Sequence, residues 1–203
     1  MGQYYQAFNM TKKQRVSSHD HGNGSKLMEH SYIGNDFVGA VMAMLKKEWK
    51  GDRIAWVGDY HEEGQVGDVP TWEEVEDSYE QVKLAVKQVK KGFLNNHTKK
   101  ISIDLSKCSL YEGDIDKGWE LHPLSILTAC GNGMGGGDYR GDFAFVGIWA
   151  GDEFSCTTKS EFDIVPFNME MDFSNAQKFI VKEDEEEGYT AMDAMNRVDN
   201  DIE

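Results

Sequence analysis

The chain has 203 residues, of which 39% are hydrophobic and 28% are charged. This composition is typical of a single globular domain and excludes a largely disordered chain, and no apolar stretch approaches the ~20 residues that cross a bilayer. The formal net charge of −15 argues against direct binding to nucleic acid, because an acidic surface repels phosphate.

The cysteines and the N-terminal residues indicate the compartment. Cys108, Cys130 and Cys156 cannot all pair within one chain, and the first fifteen residues lack the apolar core of a secretory signal. We therefore expect a cytoplasmic protein that does not bind membranes.

Acidic residues are concentrated in two segments. Residues 59–80 contain nine acidic residues and no Lys or Arg, and residues 183–203 contain nine acidic residues and one Arg. The rest of the chain is nearly neutral. We expect residues 1–182 to form one domain, followed by an acidic tail over residues 183–203 that either contains a short docked helix or serves as a partner-binding appendage.

The first third of the chain predicts two strands with a helix between them. β-branched and aromatic residues between turn residues predict strands over residues 3–10 and 53–60. Apolar residues spaced three and four apart predict a helix over residues 36–48, with Asn35 as its N-terminal cap.

The same reasoning predicts a second helix over residues 72–91, opened by a capping box of Thr71 and Glu74. Further strands are predicted over residues 101–106, 124–129, 143–150, 153–159 and 177–182. Residues 143–159 are predicted to form a hairpin that turns at residues 151–152. We see no internal repeat in the sequence. The fold prediction is a single α+β domain with a largely antiparallel sheet of six to seven strands and two main helices.

Two of these segments share a pattern in which a Trp and a Gly-Asp pair close an apolar run. They are RIAWVGDY at residues 53–60 and FVGIWAGD at residues 145–152. If the two strands leave Asp59 and Asp152 at equivalent ends, the two carboxylates meet at one rim of the sheet. Gly-Asp more often begins a turn, which is the favoured interpretation.

The most unusual segment is GNGMGGGDYRG at residues 131–141, in which six of eleven residues are glycine. It contains G-x-G-x-x-G, but no helix pattern follows, so the dinucleotide fingerprint fails. Successive glycine N–H groups can form a nest that binds an anion, and an arginine can add a guanidinium. The alternative is a flexible connector. The predicted ligand site consists of Gly133, Gly135, Gly136, Gly137, Asp138, Tyr139, Arg140, His30 and Asp59.

Several histidines lie near one another in the first third of the chain. His19 and His21 lie in a polar, Gly-rich stretch, and His61 follows Asp59 by two residues. Two ligands two residues apart can face one metal ion, but no zinc motif is present. We predict no cofactor, and His19, His21 and His61 are weak candidates for metal ligands beside a surface or packing role.

Cys130 directly precedes the Gly-rich segment, and His122 lies eight residues upstream. A catalytic Cys–His pair needs a hydrogen bond between the side chains, which requires the chain to reverse direction between them. Pro123 permits such a reversal but does not establish it. We therefore favour a buried structural thiol and predict no catalytic residue.

Five segments within residues 1–152 carry a resemblance to a known family. They are MGQYY, HDHGNGSKLMEHSYIGNDFV, RIAWVGDY, HPLSILTACGNGMGGGDYRG and FVGIWAGD. In this order they resemble a family of short proteins from bacteria and their phages that begin with MGQYY. The resemblance implies an independent cytosolic domain, which a phage can encode, and it implies no particular activity. The acidic tail lies outside the resemblance.

The function predicted from these features is that of a non-enzymatic binding protein. Its Gly-rich loop takes a small anionic or nucleotide-like ligand, for example by sequestering a host signalling nucleotide. A first alternative is an acidic inhibitor of a host defence or nucleic-acid-handling protein, in which the acidic segments imitate a phosphate backbone. A second alternative is a metal-dependent hydrolase, in which His30 and either Asp59 or His61 join the histidines at 19 and 21 around an ion that activates water.

Overall fold

The computed structural model describes residues 1–84, 89, 91–108, 110–111, 119–140 and 145–167. The strand predicted over residues 177–182 and the acidic tail lie outside these described residues. Within them the chain folds as a single-sheet α+β structure with four α-helices and a mixed sheet of nine strands. The predicted fold class is confirmed, whereas the sheet has more strands and more parallel pairs than the sequence indicated.

The strands of the sheet are short. They are β1 (Tyr5–Asn9), β2 (Gln14–Ser17), β3 (Asp52–Gly58), β4 (Glu80–Gln81), β5 (Phe93–Asn96), β6 (Ile101–Asp104), β9 (Ala129–Cys130), β10 (Glu153–Thr157) and β11 (Asp163–Ile164). A separate two-stranded ribbon consists of β7 (Leu110–Tyr111) and β8 (Trp119–Glu120). The helices are α1 (Leu27–His30), α2 (Asp36–Leu45), α3 (Trp72–Ser78) and α4 (Pro123–Leu127).

The strand order across the sheet is β11-β6-β5-β10-β3-β1-β2-β4. Neighbouring strands are antiparallel from β6 to β2, and the short strands β11 and β4 add in parallel at the two edges. β9 pairs in parallel with β3, beside Trp56 and Val57. β3 therefore has a partner on both edges and lies at the centre of the sheet.

The two faces of the central strands are buried by different parts of the chain. Side chains alternate along a strand, so Ile54 and Trp56 point to one face, and Ala55 and Val57 point to the other. On the first face lies the main core, where the ring of Phe37 from α2 is 5.0 Å from that of Trp56. The second face is covered by residues 59–80, including α3.

The helix predicted over residues 72–91 is wrong for the described residues beyond Ser78, and residues 85–88 and 90 of that prediction lie outside the described part of the chain. The capping box of Thr71 and Glu74 is present, but α3 ends at Ser78 and Tyr79 has extended backbone angles. The ring of Tyr79 packs 6.0 Å from that of Phe8, and the next residue begins the parallel edge strand β4. Pairing with β2 and burial of the aromatic ring thus override the helical periodicity, which is only a weak determinant by itself.

Residues 123–127 form a helix where the sequence predicted a strand over 124–129. Pro123 occupies the first turn, and Nδ1 of His122 accepts a hydrogen bond from the Leu124 N–H at 3.2 Å. A proline at the start and a side-chain acceptor before it are features that begin a helix. The apolar run alone did not distinguish a buried short helix from a buried strand.

The predicted hairpin over residues 143–159 is also wrong. The described residues 145–151 form turns rather than a strand, and β10 pairs with β5 and β3. Gly147 and Gly151 both have positive φ, of +78° and +81°, which an extended strand does not permit. The predictions over residues 3–10, 53–60, 101–106 and 153–159 are confirmed as strands, and Asn35 does cap α2.

None of the helices in the described part of the chain has the length and apolar character that a membrane crossing requires.

Candidate functional site

A cleft of about 200 Å³ opens where β9 runs into the Gly-rich loop. It is lined by Gln65, Val66, Ala129, Gly131, Asn132, Val146 and Gly147. Pockets for drug-sized ligands measure ~300–1,000 Å³, so this cleft is large enough for one ring system or a short chain.

The cleft exists because two segments cross closely at the end of β9. The Gly147 N–H donates to the Ile126 carbonyl at 3.0 Å, which holds the turn against the α4–β9 segment. A Cβ on Gly147 would lie 2.5 Å from the Ala129 carbonyl oxygen, and its φ is +78°. Only glycine permits both this conformation and this close approach.

The Gly-rich loop forms an anion-binding nest, and the anion in it is the protein's own Asp138. One carboxylate oxygen of Asp138 accepts hydrogen bonds from the N–H groups of Gly133 and Gly135, both at 2.9 Å. The other accepts from the Tyr5 hydroxyl at 3.2 Å. The Asp138 side chain is buried, at 4% exposure. These two loop N–H groups are therefore already used and do not point to an external phosphate.

Tyr5 is the buried donor beneath the loop. Burial, together with the neighbouring Asp138 carboxylate, raises the pKa of Tyr5 above its ordinary value, so the phenol keeps its proton. Its hydroxyl also lies 3.1 Å from Oε1 of Gln3. The loop is thus anchored to β1 by a buried polar network rather than being a free connector.

The first residues of the chain pack closely against the Gly-rich loop. The Gly136 N–H donates to the Met1 carbonyl at 2.9 Å, and the Gly136 carbonyl accepts from the Gln3 N–H at 3.2 Å. A Cβ on Gly135 would lie 2.4 Å from Cβ of Gln3. Gly137 accepts from the N–H of Met28 at 3.0 Å. Contact with the chain's own N-terminus is an explanation that the sequence reading did not consider.

The other predicted ligand residues differ in their surroundings. Tyr139 is buried in the main core, where its ring is 5.8 Å from that of Phe145, whereas Arg140 is exposed. Asp59 is half-buried and accepts a hydrogen bond from the Tyr4 N–H at 3.0 Å. The backbone N–H and C=O of Tyr139 bond the side chain of Asn132, at 2.9 and 3.2 Å. Arg140 is therefore the next residue after Tyr139, whose backbone is hydrogen-bonded to Asn132 of the cleft wall.

His30 lies in the core and uses both ring nitrogens. Nδ1 donates to the Gly24 carbonyl at 3.1 Å, and Nε2 accepts from the Trp56 indole N–H at 2.9 Å. The side chain is fully buried, and burial lowers its pKa to about 4. His30 is thus a neutral structural residue in this arrangement, with no free nitrogen for a ligand.

The candidate metal ligands do not converge. His19 is exposed and its Nε2 lies 3.0 Å from the Ser25 hydroxyl, whereas His21 stacks on the ring of Phe37 at 5.8 Å. His61 is buried, with Nδ1 3.0 Å from Oε1 of Gln65. Across the residues that the structure describes, no three His, Cys, Asp or Glu side chains are close enough to hold an ion.

Cys130 and His122 are both engaged elsewhere. The Cys130 thiol lies 3.7 Å from the Thr128 carbonyl, and burial raises its pKa to about 12. Nδ1 of His122 caps α4, and burial lowers its pKa to about 3. Neither group has the hydrogen bond or the ionisation state that a nucleophile and its base require.

Sequence reasoning found the Gly-rich loop but missed most of the cleft wall. Gln65 and Val66 lie in the acidic segment, and Val146 and Gly147 lie in a stretch read as a strand. None of these residue types signals a site by itself. Only the close approach of three chain segments makes them neighbours.

In comparisons with known proteins, no family model matches the chain, and no curated protein or solved structure shows significant similarity to it.

Replacing His30 by Gln is expected to flatten the pH dependence of stability between about pH 6.5 and 4. An unfolded His titrates near 6.5 and the folded His30 near 4, so between these values only the unfolded state binds the proton. The free energy of unfolding therefore falls as the pH falls, by up to about 3 kcal/mol for this group. Gln keeps a donor for Gly24 and an acceptor for Trp56 but does not titrate.

Urea unfolding at a series of pH values across this window measures the effect. The exposed variant His19→Gln is the control and should follow the wild-type curve. The buried His122 still titrates, so His30→Gln reduces the slope rather than abolishing it. Superimposable curves for all three proteins would contradict the buried, neutral His30.

Asp138→Ala is expected to release the Gly-rich loop, because the N–H groups of Gly133 and Gly135 lose their acceptor and the Tyr5 hydroxyl loses one of its two acceptors. Leaving such groups without partners costs about 1–3 kcal/mol each when buried. Hydrogen exchange at the two glycine amides should accelerate about tenfold or more. Asp138→Asn keeps one acceptor oxygen and should lose less protection. Unchanged exchange in the alanine variant would show that the carboxylate does not hold the loop.

Proposed function

We propose that this protein is a non-enzymatic binding protein that takes the ring of a nucleotide-like ligand in the cleft at the start of the Gly-rich loop. The supporting observation is the composition of the cleft wall. Val66 and Val146 provide apolar surface, and the amides of Gln65 and Asn132 provide donors and acceptors. Apolar walls with a few fixed polar groups are typical of small-molecule sites.

In this proposal the ring and the anionic group of the ligand bind in different places, whereas the sequence suggested that the Gly-rich loop itself holds the anion. Among the described residues no Lys or Arg lines the cleft, and the N–H groups of Gly133 and Gly135 are bonded to Asp138. An anionic group therefore lies outside the cleft in this proposal, where the exposed Arg140 can meet it. The ring enters the cleft, and its edge bonds the amides.

The protein acts in the cytoplasm in this proposal. All three cysteines are free and buried, as expected where thiols stay reduced.

Titration with adenosine, guanosine, AMP and GMP tests the ligand class. Isothermal calorimetry is expected to detect at least one nucleotide. Val66→Trp fills the cleft and should weaken that binding by about tenfold or more. Arg140→Ala should weaken the nucleotide but not the matching nucleoside, because it removes only the contact to the anionic group.

Ile164→Trp is the matched control, since Ile164 is 49% exposed on the edge strand β11 and does not line the cleft. It should bind as the wild type does. If none of the four probes binds, or if Val66→Trp binds as tightly as Ile164→Trp, the cleft is not a nucleotide site.

A second candidate function depends on the acidic segment over residues 59–80, which is anchored through its apolar residues on the second face of the sheet. Eight of its nine acidic side chains are exposed: Glu62, Glu63, Asp68, Glu73, Glu74, Glu76, Asp77 and Glu80. Arg53 and Arg15 pair with Asp68 and Glu76, and Glu74 caps α3. The other five make no ion pair with any residue that the structure describes. This array supports a partner with a basic, nucleic-acid-binding groove.

Two triple variants with the same net charge test whether the placement of the acids matters. Glu62→Gln/Glu73→Gln/Asp77→Asn removes three carboxylates from the acidic segment. The control, Glu48→Gln/Glu153→Gln/Asp163→Asn, removes three exposed carboxylates from other parts of the surface. Binding of a fluorescent Arg/Lys-rich peptide, measured by anisotropy at low salt, is expected to weaken about tenfold in the first variant and little in the second. Equal weakening would show that net charge alone attracts the peptide.

A further inference from the structure

The sheet repeats the same arrangement on each side of the central β3/β10 pair. On each side the inner strand pairs with the first strand of a hairpin, β1 or β5. The second strand of that hairpin, β2 or β6, pairs in parallel with a two-residue edge strand, β4 or β11. The strand order is therefore the same from either edge.

The two hairpin turns have the same sequence, N-x-T-K-K, and the same internal contacts. The turns begin at Asn9 and Asn96. Each Asn side chain accepts a hydrogen bond from the backbone N–H of the first lysine, Lys12 or Lys99, at 2.9 Å in both turns. The second lysine of each turn has a positive φ, of +52° and +56°. These two are the only non-glycine residues with positive φ in the described part of the chain.

Each turn is also clamped to its inner strand by the same side chains. Asn9 donates to Asp52 at 2.8 Å, and Asn96 donates to Asp152 at 2.7 Å. The first lysine of each turn pairs with the same aspartate. The threonine hydroxyl of each turn accepts the N–H of the residue after that aspartate, at 2.9 and 3.0 Å. Both asparagines are fully buried, and the aspartates are 7% and 9% exposed.

The inner strands begin alike. The sequence W-x-G-D begins at Trp49, Trp56 and Trp149, but at Trp56 the aspartate N–H donates to the Tyr4 carbonyl instead. At Trp49 and Trp149 the aspartate N–H donates to the tryptophan carbonyl, at 3.0 and 3.1 Å. Both indole rings are fully buried. The matching residue of Asp152 is thus Asp52, and not Asp59 as the sequence comparison of the two Trp-Gly-Asp segments suggested.

The pairing of the inner strands has twofold symmetry. Arg53 lies directly opposite Glu153, and these two positions match in the two halves. On either side of this pair a glycine N–H donates across the strands, from Gly51 to Phe154 at 2.7 Å and from Gly151 to Ile54 at 2.9 Å. A pseudo-twofold axis therefore passes between β3 and β10.

We propose that the chain is an internal duplication, in which residues 5–82 and 93–165 are two copies of one unit joined about this axis. If the same turn had arisen independently in two places, we would not expect the W-x-G-D sequence, the parallel edge strand and the symmetric central pair to match as well. The expectation that the sequence contains no repeat is corrected by these contacts. The inference is independent of what the cleft binds.

Matched substitutions in the two turns test the proposal. Asn9→Ala and Asn96→Ala each leave a backbone N–H without its acceptor and remove one of the two partners of a buried aspartate. Each is expected to lower the melting temperature by about 4–8 °C, and the two losses should agree within about 2 °C. A loss that is confined to one of the two turns would overturn the equivalence.

Thr11→Val and Thr98→Val make the same comparison with a milder change, because only one exposed hydrogen bond is lost. These variants decide the question if the asparagine variants do not fold. Arg53 and Glu153, the matching positions at the axis, are the control because their contacts differ. Arg53 bonds the Gly151 carbonyl and Asp68, whereas Glu153 is exposed. Arg53→Ala should therefore lower the melting temperature more than Glu153→Ala. Matched losses in the turns together with this unequal pair support the duplication, and unequal losses in both asparagine and threonine pairs reject it.

Discussion

The antiparallel pairing of β3 with β10 is the constraint on which the rest of the structure depends. Only two residue pairs form it, Asp52 with Phe154 and Arg53 with Glu153. This register positions both hairpins, because the first is clamped to Asp52 at the start of β3 and the second to Asp152 directly before β10. It also ends early, because Ile54, which bonds Asp152 and Gly151, is followed by an edge of β3 that β10 does not cover. β9 occupies that edge, and the Gly-rich loop begins where β9 ends.

Burial of both faces of β3 explains why the acidic segment has its composition. Ala55 and Val57 face away from the main core and need an apolar cover. Val69, Val75 and Trp72 provide it, while the charged residues between them point to solvent. The equivalent face of β10 carries Ser155 instead, which is buried and bonded to Asn95 and to Glu161 of the short connection over residues 158–162. The acidic segment is thus a cover that one half of the sheet requires and the other does not.

Local signals in the sequence predicted the elements whose ends are fixed locally, and they failed where distant pairing decides. Asn35 caps α2 as expected, because its side chain bonds the next N–H groups along the chain. The periodicity that continued past Ser78 was overridden by pairing with β2, which no local pattern reports. The Gly-rich loop was correctly singled out, but its partner Asp138 closes the nest from within the same segment. The repeat was visible as N-x-T-K-K, yet it is short and its halves share little apolar pattern, since Asn95 stands where Phe8 stands in the other half.

The duplication and the cleft are connected through the places where the two halves differ. The connection between inner strand and edge strand is residues 59–79 in the first half and residues 158–162 in the second. The connection between hairpin and inner strand is residues 18–51 in the first half and the longer residues 105–151 in the second. All the described residues that line the cleft belong to one of the two longer connections. The clamps have the same contacts in both halves, whereas the cleft lies where the two unshared connections meet. No side chain of the Asn–Thr–Lys–Asp clamps lines the cleft. Substitutions in the clamps should therefore lower stability without changing the cleft wall, and substitutions in the cleft wall should leave the clamps intact.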